Sequence, residues 1–192
     1  MIQNVSNFHR CRAGTSPMST LACGKVQSME ERGPIRIFAG TGRGKTSAAI
    51  GQGVKAATMG KTVSVIQFLK GRPDGEFDII KRLEPEMKLF CFEKSDRFFD
   101  DLSDSEKEEE KQNIRNGYNF AKKVLMTGEC DLLILDEFLG LLDTGLLSTG
   151  DFKDLLSVKP DEVELIMTGI NINEEICKLA DEVTKLETVV FK

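Results

Sequence analysis

Apolar residues follow two rhythms along this chain. Short, nearly unbroken apolar runs recur: IRIFA at 35–39, TVSVIQFL at 62–69, MKLFCF at 87–92, DLLILDEF at 131–138 and VELIMTG at 163–169. Runs of this length, flanked by glycine and charged residues, read as strands buried on both faces. Between them the apolar positions take helical spacing. Residues 45–60 form a helix of small side chains, among them Ala48, Ala49, Val54 and Ala57, suited to close packing on a sheet, with Gly60 at its end. Residues 76–84 form a short helix. Ser103 and Glu106 have capping-box spacing and open a long helix to about Thr127, with Ile114, Tyr118, Ala121 and Leu125 as its buried stripe. The run EKEEE at 106–110 reads as a solvated face near the helix N-terminus, where acids are favoured. Helical stretches near 138–147 and 150–157, a helix at 173–180 and a last strand at 183–189 complete the pattern. Apolar strands alternating with helices predict an α/β fold: a mostly parallel sheet of about six strands with helices on both faces.

Residues 1–33 break this pattern and read as a flexible extension ahead of one domain at 34–192. Met1 to Met29 contains no acidic residue, and Arg10, Arg12 and Lys25 make it basic. That composition suits an organelle transit peptide, which would place the protein in an organelle matrix. The alternatives are a disordered extension or an over-long start, since Met29 opens a natural domain beginning. In either case the expected location is cytoplasmic.

The remaining composition is that of a globular chain: 192 residues, 40% hydrophobic and 30% charged. No apolar run approaches the ~20 residues of a membrane helix, so no membrane partner is expected. A net charge of −5 argues against broad nucleic-acid binding, which needs a basic surface. Five cysteines without a C-x-x-C pair suggest free thiols, with Cys91, Cys130 and Cys177 in or beside the core. The single histidine, His9, lies in the extension. The domain therefore has no histidine for a Ser-His-Asp triad, a Cys-His dyad or a histidine zinc site.

Chemistry concentrates in FAGTGRGKTSAAIG at 38–51, which follows a predicted strand and opens a predicted helix. Glycines there allow backbone amides to converge on one point, and the helix N-terminus adds its positive end. Gly40, Thr41, Gly42, Arg43, Gly44, Lys45, Thr46 and Ser47 are the expected polyphosphate cradle. Lys45 carries the cation and the Thr46 hydroxyl faces Mg²⁺. The loop departs from G-x-x-x-x-G-K-[ST] at its first position, Ala39. In LLILDE an apolar strand ends in Asp136 and Glu137, a Walker B arrangement in which a carboxylate holds Mg²⁺. The same acids could instead cap the following helix. These parts identify a P-loop nucleotide site and leave open whether it serves a kinase, an ATPase or an alkyl transferase.

Together, GTGRGKTSAAIGQGVKAATMGKTVSVIQFLKG, GECDLLILDEFLGLLDTGLLS and VELIMTGINI…ICKLADEVTKLE resemble the ATP:corrinoid adenosyltransferases, over about residues 35–188. The resemblance implies a RecA-like P-loop domain, usually a homodimer. It implies transfer of the 5′-deoxyadenosyl group of ATP to the Co(I) centre of a reduced corrinoid, with triphosphate released. ATP would lie in the loop in reverse, presenting C5′ to cobalt. Co(I) is itself a strong nucleophile, so a domain without histidine is no obstacle. Lys45, Thr46 and Glu137 are then the expected catalytic residues. A flavoprotein reductase would supply electrons, and aromatics in EKSDRFFDD, Phe98 and Phe99, would crowd the corrinoid. These phenylalanines could equally belong to the core, as Phe92 is expected to. Two departures stand out: Ile170 replaces an arginine common after the fifth strand, and a basic, glycine-containing tail is missing after the last. Two other readings therefore remain: a P-loop phosphotransferase or ATPase, and an ATP- and corrinoid-binding relative with weakened turnover.

Overall fold

A computed structural model describes residues 32–69, 77–93, 99–172 and 174–191. The expected extension (1–33) lies almost wholly outside the described residues, as does Phe98. Six strands form one sheet: β1 (Ile35–Ala39), β2 (Val63–Gln67), β3 (Met87–Cys91), β4 (Leu132–Asp136), β5 (Glu164–Gly169) and β6 (Glu182–Lys185). The order is β3-β2-β4-β5-β1-β6 and every pairing is parallel. The helices are α1 (Lys45–Thr58), α2 (Asp78–Lys81), α3 (Asp104–Thr127), α4 (Phe138–Asp143), α5 (Thr149–Ser157) and α6 (Glu174–Cys177).

Side-chain alternation divides the core into two layers. Val63, Val65, Leu132, Ile134, Ile166 and Phe38 pack with Ala49, Ile50, Ala56 and Ala57 of α1 and Ile80 of α2. The intervening residues, among them Ile37, Ile66, Leu133, Leu135, Leu165 and Met167, pack with Ile114, Tyr118, Ala121 and Leu125 of α3 and with α4 and α5. Both faces of the inner strands are thus dry, which explains why β2 and β4 are apolar for most of their length and buried throughout. The flanking strands β3 and β6 keep exposed positions.

The α3 boundary behaves as the sequence predicts. Ser103 and Glu106 form the capping box of α3, the Ser103 N–H donating to the Glu106 carboxylate at 2.8 Å. A second box, Ser148 with Asp151, opens α5. Arg36 ties three strands together by pairing with Glu164 and Glu182.

Several expectations are corrected. The acidic run is not wholly solvated: Glu110 is buried and accepts from Asn113 at 2.9 Å, because it falls on the inward side of α3, one turn before Ile114. Cys91 is exposed, since β3 is an outer strand; Cys130 is buried and Cys177 half-buried. The last strand ends at Lys185 rather than 189, and the helix expected at 173–180 is only one turn, Glu174–Cys177. Phe92, in line with expectation, packs against the core, half-buried beside Phe120 with ring centroids 5.4 Å apart.

Candidate functional site

The glycine loop crosses the carboxyl end of β1 and delivers the chain into α1, the edge at which ligands of parallel sheets bind. Gly44 holds φ 95° as the residue before α1, a left-handed conformation that lets the backbone turn sharply into the helix. Gly40 holds φ 122°, and a Cβ there would lie 2.2 Å from the Leu186 carbonyl oxygen. The reason is a close backbone clamp. The Leu186 N–H donates to Ala39 O at 2.7 Å and the Gly42 N–H donates to Leu186 O at 3.0 Å. The Arg43 N–H donates to the Thr188 hydroxyl at 3.1 Å. The segment after β6 therefore leaves the ladder to support the loop, which is why the last strand is short.

Within the loop, Thr41, Arg43, Gly44 and Ser47 are exposed, whereas Gly40, Gly42 and Thr46 are buried. The half-buried Lys45 curls back, and its ammonium donates to Gly42 O at 3.0 Å. The backbone at Ile170, where the resemblance expects arginine, joins the loop: its carbonyl accepts the Gly40 N–H at 2.9 Å, and its side chain is exposed.

Asp136 and Glu137 close β4 at the same edge. Asp136 is 1% exposed, and its Oδ1 accepts the Thr168 hydroxyl at 2.7 Å. The Thr168 oxygen in turn accepts the Glu137 N–H at 2.9 Å. Glu137 takes φ 58°, uncommon for a residue with a side chain, and precedes α4 as its N-cap residue without a side-chain capping bond. The pair therefore combines roles that the sequence left open. Asp136 is fixed in the sheet, and Glu137 makes the strained turn into α4.

Register reveals two polar residues that sequence reasoning did not select. Gln67 pairs with Cys91 on one side and Asp136 on the other, and Phe38 pairs with Thr168. With alternation as above, Cys91, Gln67, Asp136 and Thr168 form one row on the α1 face, at the carboxyl end of the sheet. Thus β2, β4 and β5 each turn polar at the same level, and that shared change of polarity was the available signal. Phe99, the describable half of the aromatic pair, begins a one-turn 3-10 helix, Phe99–Asp101, and is half-buried.

Among the described residues no three His, Cys, Asp or Glu side chains gather into a metal cluster. The oxygen donors at this edge, Thr46, Asp136 and Glu137, suit a hard cation that completes its shell with phosphates and water, the usual mode of Mg²⁺. Two thiols are outside this chemistry: Cys130 precedes the amino end of β4, away from this edge, and Cys91 ends the outer strand β3. Burial pushes Cys130 up to about 11 despite hydrogen bonds from Ser64 that oppose the rise. Cys91, although its residue is exposed, is also raised, first by partial desolvation of its thiol and then by Glu93. Both are neutral thiols at neutral pH, which argues against nucleophilic roles.

Residues 31–191 match the family described as ATP:corrinoid adenosyltransferase BtuR/CobO/CobP. The corrinoid adenosyltransferase of Escherichia coli K12 is 32% identical over 169 residues, covering 85% of this chain and 81% of the relative. Corrinoid adenosyltransferase CobA of Salmonella typhimurium LT2 is 30% identical over the same shares. Among solved structures, a KaiC-like protein from the archaeon Pyrococcus horikoshii aligns with a TM-score of 0.51 at 16% identity, covering 84% of this chain and 76% of that one. This last likeness is one of fold, a RecA-like P-loop sheet.

Proposed function

Since the chain belongs to the ATP:corrinoid adenosyltransferase family, we propose that its glycine-loop edge binds ATP and presents the ribose C5′ to a reduced corrinoid. The Co(I) electron pair forms the Co–C bond, the C5′–O bond breaks, and triphosphate leaves with that bond's electrons. The observation that carries this reading is the joint placement of the loop, Lys45 and the Asp136–Thr168 pair at one edge, in a chain whose relatives are named for the reaction.

Each residue has a task that follows from its position. Loop amides and the α1 N-terminus bind the polyphosphate, which becomes the leaving group. Lys45 exchanges its Gly42 carbonyl for a phosphate oxygen. Thr46 and Asp136, with Glu137, would hold Mg²⁺, whose chemistry is to neutralise the growing triphosphate charge. No protein base is required, because the nucleophile arrives as substrate. Phe98 and Phe99 are proposed to flank the corrinoid, and the working unit is proposed to be a homodimer fed by a flavoprotein reductase. Among the described residues no helix is long and apolar enough to cross a membrane. A reducing compartment, the cytoplasm, suits free thiols and Co(I). The domain is proposed to occupy residues 34–192.

An anaerobic assay with MgATP and chemically reduced cobinamide or cobalamin tests the reading. Loss of the Co(I) absorbance and growth of a light-sensitive alkylcorrinoid are expected. ATP consumption with Co(I) unchanged would favour a phosphotransferase or ATPase.

A further inference from the structure

The row of polar side chains beneath the loop contains a group that the reaction outlined above does not use. Gln67 is fully buried at the carboxyl end of β2, in register with Asp136. Its Oε1 accepts the Cys91 thiol at 3.5 Å. Its Nε2 is buried without a hydrogen-bond partner. A thiol is a donor, so it turns the amide oxygen toward β3 and the nitrogen away from it. A buried unsatisfied N–H costs about 1–3 kcal/mol. The neighbouring positions of the same layer, Val65 and Ile134, are aliphatic and fully buried, so an apolar residue would suit the site better on stability alone. A local rule broken within a binding edge points to a requirement of the bound state.

We propose that Gln67 is a positioning residue for MgATP: its Nε2 donates to an oxygen that enters with MgATP at Asp136, so the protein forgoes stability before binding and recovers a hydrogen bond on binding. Thr168 and Gln67 would then flank Asp136 from β5 and β2, fixing the carboxylate and its ligand from both sides. The inference rests on the nucleotide site assigned above.

Gln67→Met keeps the length of the side chain and removes the amide. Without ligand its melting temperature is expected to equal or exceed that of the parent. In calorimetric titrations with ATP at graded Mg²⁺, its half-saturating Mg²⁺ concentration is expected to rise about tenfold, as for a lost hydrogen bond to a charged assembly. A lower melting temperature with unchanged Mg²⁺ dependence would make Gln67 a structural residue and overturn the proposal, as would no change in either. Should the variant not fold, the parent's own Gln67 side-chain amide ¹⁵N–¹H resonance serves. It is expected to shift with MgATP and not with ATP in EDTA; no shift with MgATP overturns the proposal. Parent protein run in parallel separates the two readings. If the parent binds no MgATP, the site assignment fails; if it binds and the variant matches it, only the role of Gln67 fails.

Discussion

Two side chains at the loop edge make separable contributions. Lys45 is half-buried and donates to its own loop at Gly42 O, so Lys45→Ala should leave the fold intact. It removes the cation proposed to meet the phosphates. Turnover should fall by about 10²–10³, the scale of losing one preorganised charge stabiliser. Circular dichroism and steady-state rates on the same sample check this; parent-like rates would exclude Lys45 from the site. Thr168 differs because it is buried and bonded twice, to Asp136 and to the Glu137 N–H. Thr168→Val keeps the shape and removes both bonds. It should destabilise by about 1–3 kcal/mol, from polar groups left without that partner. Denaturant unfolding measures this directly, and activity should fall as well because Asp136 and Glu137 lose their shared anchor. The place of Lys45 at the start of α1 was legible in the sequence because its motif is local. Thr168 and Gln67 were not, because their importance appears only when strands distant in sequence come into register.

At the scale of elements, the capping boxes make a pH prediction. Asp151 is held down to about 2, first by the Ser148 hydroxyl and backbone N–H, then by Arg115 at 2.7 Å. A carboxyl depressed in the folded state adds stability above its unfolded value near 4, and that stability is lost as pH falls toward 2. The melting temperature of the parent should therefore drop more steeply between pH 4 and pH 2 than that of Asp151→Asn. Equal slopes would mean that the box and the Arg115 pair contribute nothing to α5. Element positions were largely readable because apolar runs and helical spacing are both local signals. The errors have physical causes. Glu110 was read as part of a charged run, although its place on α3 turns it inward. The last strand was read through to 189, although the backbone from Leu186 to Thr188 is diverted to clamp the glycine loop.

For the whole molecule, that clamp joins the end of the described chain to the glycine loop. Its contacts are backbone to backbone at Leu186 and backbone to side chain at Thr188, and they join segments about 145 residues apart, so a local motif search does not reveal them. Removing residues 186–192 should leave the six-stranded core folded, since Leu186 is only half-buried against the α1-side layer and Val189, Val190 and Phe191 are exposed. It should weaken ATP binding by about tenfold or more, because preorganised loop amides become mobile. Calorimetry on the truncated protein checks this, and parent-like affinity would show that the loop holds its shape unaided. The sheet order, with β5 between the loop strand and the Asp136 strand, was also beyond the sequence pattern, which predicts parallel strands without ranking them. It matters here because β5 carries Thr168 into the gap between Asp136 and Glu137.

The central claim is that this edge spends ATP at C5′ rather than at a phosphorus atom. ATP labelled with ¹³C at C5′, incubated anaerobically with Mg²⁺ and a Co(I) corrinoid, tests it most directly. The account predicts that the label leaves the nucleotide and appears on the corrinoid, with one triphosphate released for each labelled product. Label retained in ADP, with free phosphate or a phosphorylated acceptor and the corrinoid unalkylated, would contradict it.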